Sequence, residues 1–296
     1  MSGMLDSIRY RLRTSDILFR LIVLNIAIFV VLRLLNAISS LFLYPFCDAG
    51  TVSDWLAVPA SPVRLLYRPW TLVSYMFLHW DFQHILLNMI WLYWFGQILL
   101  EYLGPRKLSA TYLAGGIAGA LMYILCYNTL PLFEESRAVS VAMGASASIM
   151  AITIAAATLL PDYRLSLLFI GEVRLKWVAI VILLLDLINV SSSNAGGHIA
   201  HLGGALYGYL FIIFLRRGTD LSAWLEKLLG LFSPQGKSGK FKVVKRSSAS
   251  SDEEYRTDKN RRQERVDRIL DKISRSGYDS LSEEERDFLN KASQEE

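Results

Sequence analysis

Three features of the sequence predict an all-α, polytopic membrane protein, a bundle of six transmembrane helices. Hydrophobic residues make up 53% of the 296 and the mean hydropathy is +0.33, too apolar for an ordinary soluble domain. Apolar runs recur along the chain, several approaching the roughly 20 residues that a helix needs to cross a hydrocarbon core about 30 Å thick. The basic residues flanking those runs are also unevenly shared. Arg9, Arg11, Arg13, Arg20, Arg106, Lys107, Arg164, Arg174, Lys176, Arg216 and Arg217 fall on one side, against Arg64, Arg68 and Arg137 on the other. That asymmetry predicts cytoplasmic termini. The net charge of +4 is carried largely at the ends and in short loops, which points to orientation in a bilayer and to no nucleic-acid partner.

Residues 1–16 read as a cytoplasmic N-terminal segment, and residues 17–217 as the six-helix membrane domain. The first span runs from Ile17 to Leu35, interrupted by Arg20, Asn25 and Arg33. It is longer than the roughly 7–15-residue apolar stretch of a signal peptide and no small-residue cleavage site closes it, so a retained span is expected. From Asn36 to Asp81, Pro45, Pro62 and Pro69 break up a mixture of aromatics and isolated charges, which predicts a folded loop lying partly in the membrane interface. Its Trp55, Tyr67, Trp70, Tyr75 and Trp80 read as an interfacial aromatic belt, with a substrate groove as the alternative.

Five further spans follow: 82–103, 108–127, 138–160, 175–190 and 197–215, the last stopped by Arg216, Arg217 and Gly218. Six crossings return the chain to its starting side, so spans two, four and six enter from the outside. Residues 218–233 then carry Leu221, Trp224, Leu225, Leu228 and Leu229 at helical spacing, as expected of a helix lying on the inner interface. Residues 234–260, rich in Ser, Gly and Lys, read as a flexible linker whose basic run Lys237 to Arg246 is drawn to anionic lipid. Residues 261–296 read as a cytoplasmic helical hairpin. Val266, Ile269, Leu270 and Ile273 form its first apolar stripe, and a capping box at Ser282 and Glu285 opens its second helix. A unit this small needs something to dock on, so a cytoplasmic partner is expected.

The polar residues inside the apolar runs are the candidates for chemistry, because such groups face the bundle interior and are either paired or functional. Ser146 stands among Gly144, Ala145, Ala147 and Ala151, which leave room for a close approach to its hydroxyl. A serine hydroxyl is a poor nucleophile without a base and without donors for the oxyanion its attack creates. All four histidines, His79, His84, His198 and His201, lie in or beside expected spans. His84 and Asn88 share a helical face in span two, and His201, Ala205 and Gly208 share one in span six. Counting from the expected helix starts at 1.5 Å per residue, Ser146 lies about 12 Å deep and His201 about 6 Å, both in the outer half of the membrane. Taken alone, Ser146 reads as a packing residue and the Gly115 and Gly119 pair as helix packing. His79 reads as an interfacial residue at the loop-to-helix junction, and His198 as a helix-start polar group or a wall of an aqueous cavity. Asp186 in span five is able to orient His201, but a hydrogen bond to a neighbouring helix end is the preferred expectation. Cys47 and Cys126 match no metal or redox spacing and read as buried free thiols, with a disulfide near the outer face as the alternative.

Phe77-Leu78-His79 followed by His84 and Asn88, then Gly144-Ala145-Ser146, then Ala200-His201-Leu202-Gly203-Gly204 with Gly208, together resemble the rhomboid family of intramembrane serine proteases. The resemblance spans Leu66 to Leu215 and extends to Glu101, Gly104, Gly115 and Gly119. It implies that Ser146 is the nucleophile and His201 the general base, with His84, Asn88 and the Ser146 amide forming the oxyanion hole. It implies transmembrane-protein substrates cut in or near their spans, small residues at the cut, residence in a bacterial cytoplasmic membrane, and no metal or cofactor. The sequence departs from the best-known bacterial members at Ala147, where glycine is usual, and at Met150, where an aromatic often packs on the base. A third departure is Thr71, where the first loop usually carries an arginine. Two other classes stay open. One is a catalytically inactive rhomboid-like protein that binds membrane clients; the other is a transporter relaying protons through His84, His201 and Asp186.

Overall fold

The computed structural model describes residues 17–42, 47–167, 171–192, 194–232, 267–269, 271–273 and 280–294. The chain divides into two compact units, one ending at Pro234 and the other formed by the remainder. The expected N-terminal segment 1–16 and linker 234–260 lie outside the described residues, as do Val266 and Leu270 of the expected hairpin stripe.

Helix α1 (Ile17–Leu41) buries only Leu18, Asn25, Leu32 and Ser39, one residue in every seven. A seven-residue repeat returns to nearly the same side of a helix, so α1 touches the bundle along a narrow seam and turns Phe19, Leu24, Ile26, Val30 and Val31 outward. On that seam Asn25 donates to the Leu21 carbonyl (2.8 Å) and to the Tyr112 hydroxyl (3.3 Å).

The following loop is folded, as expected, from short helices α2 (Ala49–Leu56), α3 (Pro62–Tyr67) and α4 (Thr71–Ser74), the last running into a 3-10 turn at Tyr75–Phe77. Arg64 and Arg68 both bind the Asp54 carboxylate, the latter at 2.7 Å, and Arg68 also lies 4.6 Å over the Trp55 ring. The loop therefore has arginine contacts of its own although position 71 is threonine. Its Trp55, Tyr67 and Trp70 are exposed, but Tyr75 is buried and donates to the Gly116 carbonyl at 2.5 Å, so it is a core residue rather than part of an aromatic belt.

Helix α5 (Phe82–Thr129) is two spans in one helical stretch, opened by Asp81, whose side chain accepts from the His84 amide. Gly104, at φ 82° and ψ 174°, breaks it, and Pro105 starts the second arm. A positive φ suits glycine, and a proline at a first helical position has no amide to leave unpaired, so this dipeptide ends one helix and begins the next.

The chain then differs from expectation. Span four does not begin at residue 138: Val141–Ala142 (β2) is extended and pairs antiparallel with Val58–Pro59 (β1), and helix α6 is Ser146–Leu159. The apolar run Val139 to Ala142 looks helical by hydropathy alone, yet its alternation suits a strand edge and Gly144 at φ 125° bars helix continuation. Ser146 is therefore the first residue of its helix, and a depth counted along a helix from Ala138 does not apply. Every residue from Ala147 to Ala157 is buried. A helix buried on all sides is a central one. Accordingly α6 packs against both α5 and α8 (Ala195–Arg216).

A β-hairpin, β3 (Arg164–Leu167) and β4 (Gly171–Arg174), leads into α7 (Leu175–Ile188), which buries only Leu175, Ala179 and Asp186. Helix α9 (Ala223–Phe232) lays Leu225 against Ala110 and Ala114. Burial alone would raise the Asp220 carboxyl, but hydrogen bonds from Lys107 and Ser222 hold it below its ordinary range. Lys107 also meets Glu226 at 2.7 Å, tying the start of α9 to the second arm of α5. Among the described helices, α1, α5 and α8 are long and apolar enough to cross a membrane, and α6 is a shorter apolar helix. With α5 counted as two arms, and with α7, six segments correspond to the six expected spans. Cys47 and Cys126 are free.

In the second unit, helix α10 (Glu283–Gln294) carries the expected capping box. The Ser282 hydroxyl accepts from the Glu285 amide (3.3 Å), and the Ser282 amide donates to Glu285 Oε2 (2.9 Å).

Candidate active site

Small residues bring α5, α6 and α8 unusually close. A methyl group placed on Gly204 or Gly208 of α8 would run into the carbonyls of Ala147 and Ala151 on α6. One on Gly119 of α5 would stand 2.6 Å from the Ala147 methyl and 2.7 Å from the Ala200 carbonyl. Ala147 and Ala200 are the chain neighbours of Ser146 and His201. The two expected reacting residues thus sit at the point where the three helices cross, and Gly115 and Gly119, read as helix packing, do pack there.

Ser146 is half-buried at the N-terminus of α6, where Ala145 supplies no side-chain cap. The first amides of a helix have no partner within it, so this end of α6 sets backbone donors beside the hydroxyl, at the positive end of the helix dipole. Glycine at position 144 is required twice: by its positive φ, and because a Cβ there would lie 2.9 Å from His84 Cε1, 3.2 Å from His84 Nε2 and 3.7 Å from Ser146 Oγ. The imidazole of His84 and the hydroxyl of Ser146 face the same small space.

Asn88, one turn on from His84, is buried, and its Nδ2 lies 2.9 Å from His79 Nε2. The same nitrogen of His79 is 3.4 Å from the Ala145 amide. His79 is only 1% exposed, so it is not the interfacial residue that its position at a loop junction suggests. Its acceptor nitrogen takes one hydrogen of the Asn88 amide and leaves the second free to be presented elsewhere. The spacing of His79 five residues before His84 was the available signal, but it does not reveal that the loop folds His79 under the helix.

His201 Nδ1 lies 2.9 Å from Asp186 Oδ1, and His198 Nδ1 lies 2.7 Å from the same oxygen. The Asp186 carboxylate accepts from both rings, which corrects the expectation of a bond to a helix end. It also supplies what Met150 does not, a group that holds His201. An ionised carboxylate only accepts, so Nδ1 of His201 carries the ring proton and Nε2 keeps its lone pair. His198 is neither a bare cavity wall nor a simple helix-start residue, since it shares the acid with His201. Together Asp186, His198 and His201 bring three potential ligand atoms within 4.8 Å of one another.

A family model described as the rhomboid domain matches residues 67–218, half of the chain and the part that holds every residue named above. The chain belongs to the rhomboid family. A second model, a family of unknown function (DUF6576), matches residues 249–295. The RHOMBOID-like protein 12, mitochondrial, of Arabidopsis thaliana is 30% identical over 158 residues, 50% of this chain and 47% of its own. The presenilin-associated rhomboid-like protein A, mitochondrial, of Danio rerio is 30% identical over 192 residues, 62% of this chain and 47% of its own. The rhomboid protease GlpG of Salmonella newport is 38% identical over a shorter 58 residues, 20% of this chain and 21% of its own. The chain thus spans about half the length of the longer-matching relatives. It is a multi-pass membrane protein of the rhomboid family, and its relatives include mitochondrial as well as bacterial proteins.

Proposed function

We propose that this protein is an intramembrane serine endopeptidase that hydrolyses peptide bonds in or near the transmembrane segments of other membrane proteins. The observation that carries the proposal is the orientation of His201. With Nδ1 engaged by Asp186, Nε2 is the nitrogen able to take a proton, and the ring stands at the helix crossing that also holds Ser146. Ser146 Oγ attacks the scissile carbonyl while His201 Nε2 accepts its proton, and the resulting imidazolium returns that proton to the leaving amine. The oxyanion is met by donors already in place: the first amides of α6, the His84 ring and the second amide hydrogen of Asn88. Water then hydrolyses the acyl-enzyme by the same route.

A substrate helix has to unwind locally for its carbonyl to reach Ser146, because a helical carbonyl is shielded by its own hydrogen bond. The basic flanks of the spans support cytoplasmic termini, with the site toward the opposite face. Residence in a bacterial cytoplasmic membrane is the proposed location, supported by the presence of a bacterial rhomboid protease among the relatives. Labelling of the detergent-purified protein with a fluorophosphonate, compared with Ser146→Ala, tests the proposal. Labelling that vanishes in the variant supports a protease, and a wild-type protein that never labels supports a client-binding role instead.

A further inference from the structure

Asp186 is 5% exposed, yet only one of its two carboxylate oxygens is used. Oδ1 accepts from two imidazoles, while Oδ2 is buried with no hydrogen-bond partner among the described residues. An ionised oxygen left unpaired in a nonpolar surrounding is costly. Among the described residues nothing hydrogen-bonds Oδ2, so the carboxylate keeps unused acceptor capacity, and a cation seated between the three side chains would engage it and both rings at once. We propose that Asp186, His198 and His201 form a binding site for zinc(II), and that zinc occupying it switches off His201 as a base.

The donor set suits that ion, since two imidazole nitrogens and a carboxylate are common zinc ligands with bonds of about 2.0–2.2 Å. Tetrahedral geometry at such bond lengths separates ligand atoms by about 3.3 Å. The present separations of 2.7 and 2.9 Å from Oδ1 to the two nitrogens lie about half an ångström short of that, and all three ligand atoms lie within 4.8 Å of one another. The side chains of His198 and His201 are 21% and 19% exposed, so an ion from solution has a way in. The fourth coordination position is left to water.

The consequence for His201 follows from its tautomer. Today Nδ1 carries the proton and Nε2 the lone pair. A metal needs the Nδ1 lone pair, so the proton moves to Nε2, which then has nothing with which to accept the Ser146 proton. In each ring, His198 included, the N–H bond at Nδ1 breaks and one forms at Nε2, and a chelator reverses the change. Inhibition by the ion presupposes the peptidase function proposed above; binding of the ion does not.

The test uses the full chain purified in detergent, stripped with a chelator and dialysed against zinc chloride. One zinc per chain is expected, with affinity falling about 100-fold in His198→Ala and in Asp186→Asn. Cobalt(II) in place of zinc should give the visible absorption of a tetrahedral site in the wild-type protein, a readout that depends on no variant. Fluorophosphonate labelling of the wild type should slow about 100-fold at saturating zinc and recover with chelator. His198→Ala should label at the same rate with and without zinc at that concentration. Zinc bound equally by both variants, no tetrahedral cobalt spectrum, or unchanged labelling of the zinc-saturated wild type would overturn the proposal. A wild type that binds zinc but never labels would instead overturn the peptidase function and leave the site standing.

Discussion

The Nδ1 nitrogen of His201 lies 2.9 Å from Oδ1 of Asp186, so an imidazole on α8 is aimed by a carboxylate on α7. Serine chemistry at Ser146 needs the opposite ring nitrogen unprotonated, and this bond selects that tautomer.

In the proposed mechanism Asp186 is a positioning residue. Asp186→Asn keeps the size of the side chain but removes the charge that fixes the tautomer and stabilises the imidazolium. Cleavage kinetics under metal-free conditions should show kcat lowered about tenfold or more with KM nearly unchanged. A rise in KM with kcat intact would assign Asp186 a purely structural part.

Asn88→Ala removes a donor from the expected oxyanion position without touching nucleophile or base. Loss of one such donor lowers kcat about 100- to 1,000-fold, equivalent to about 3–4 kcal/mol in the transition state. His79→Ala should lower kcat less, because it frees the Asn88 amide to turn rather than deleting it. Equal rates for Asn88→Ala and the wild type would remove Asn88 from the mechanism.

Gly204→Val places a branched side chain against the Ala147 carbonyl, which is backbone and has little room to retreat. Forcing α8 off α6 should destabilise the bundle by about 1–3 kcal/mol and separate His201 from Ser146. Thermal melting in detergent and fluorophosphonate labelling should both decline. The same substitution at Gly230, with no atom within 4 Å of a built Cβ, serves as the control.

The first loop carries its own pH dependence. A hydrogen bond from Arg68, with the charges of Arg68 and Arg64, holds the Asp54 carboxyl below its ordinary range. A group whose folded pKa is depressed contributes stability above its unfolded value, about 3.9 for aspartate, and that contribution is lost as pH falls through the folded value. Asp54→Asn should therefore melt lower than the wild type at neutral pH, by an amount corresponding to about 1 kcal/mol for these partly exposed pairs. The two curves should converge in strong acid, and a constant gap down to pH 2 would contradict the assignment.

The features legible in sequence were those written in periodicity and spacing. Six apolar runs, the capping box at Ser282 and Glu285, and the clustering of His84, Asn88, Ser146 and His201 on three helices all follow from local pattern. Long-range pairing was not legible. Val139 to Ala142 is apolar enough to pass for helix, and the pairing of Val141–Ala142 with Val58–Pro59 joins two segments far apart in the chain. His79 looks like a boundary residue until the loop folds it beneath α5, and Tyr75 looks like a belt aromatic until its hydroxyl finds Gly116. Asp186 was the harder case. An acid alone in a span has many possible partners, and its choice of two histidines depends on how α7 lies against α8, which no spacing within either helix encodes.

The most direct test reconstitutes the full-length protein in liposomes with a single-span substrate carrying small residues in its transmembrane segment, and weighs the products by mass spectrometry. Two fragments from one cut in or beside that segment are expected from the wild type, and none from Ser146→Ala or His201→Ala. The same fragments released at wild-type rate by either variant would contradict the account.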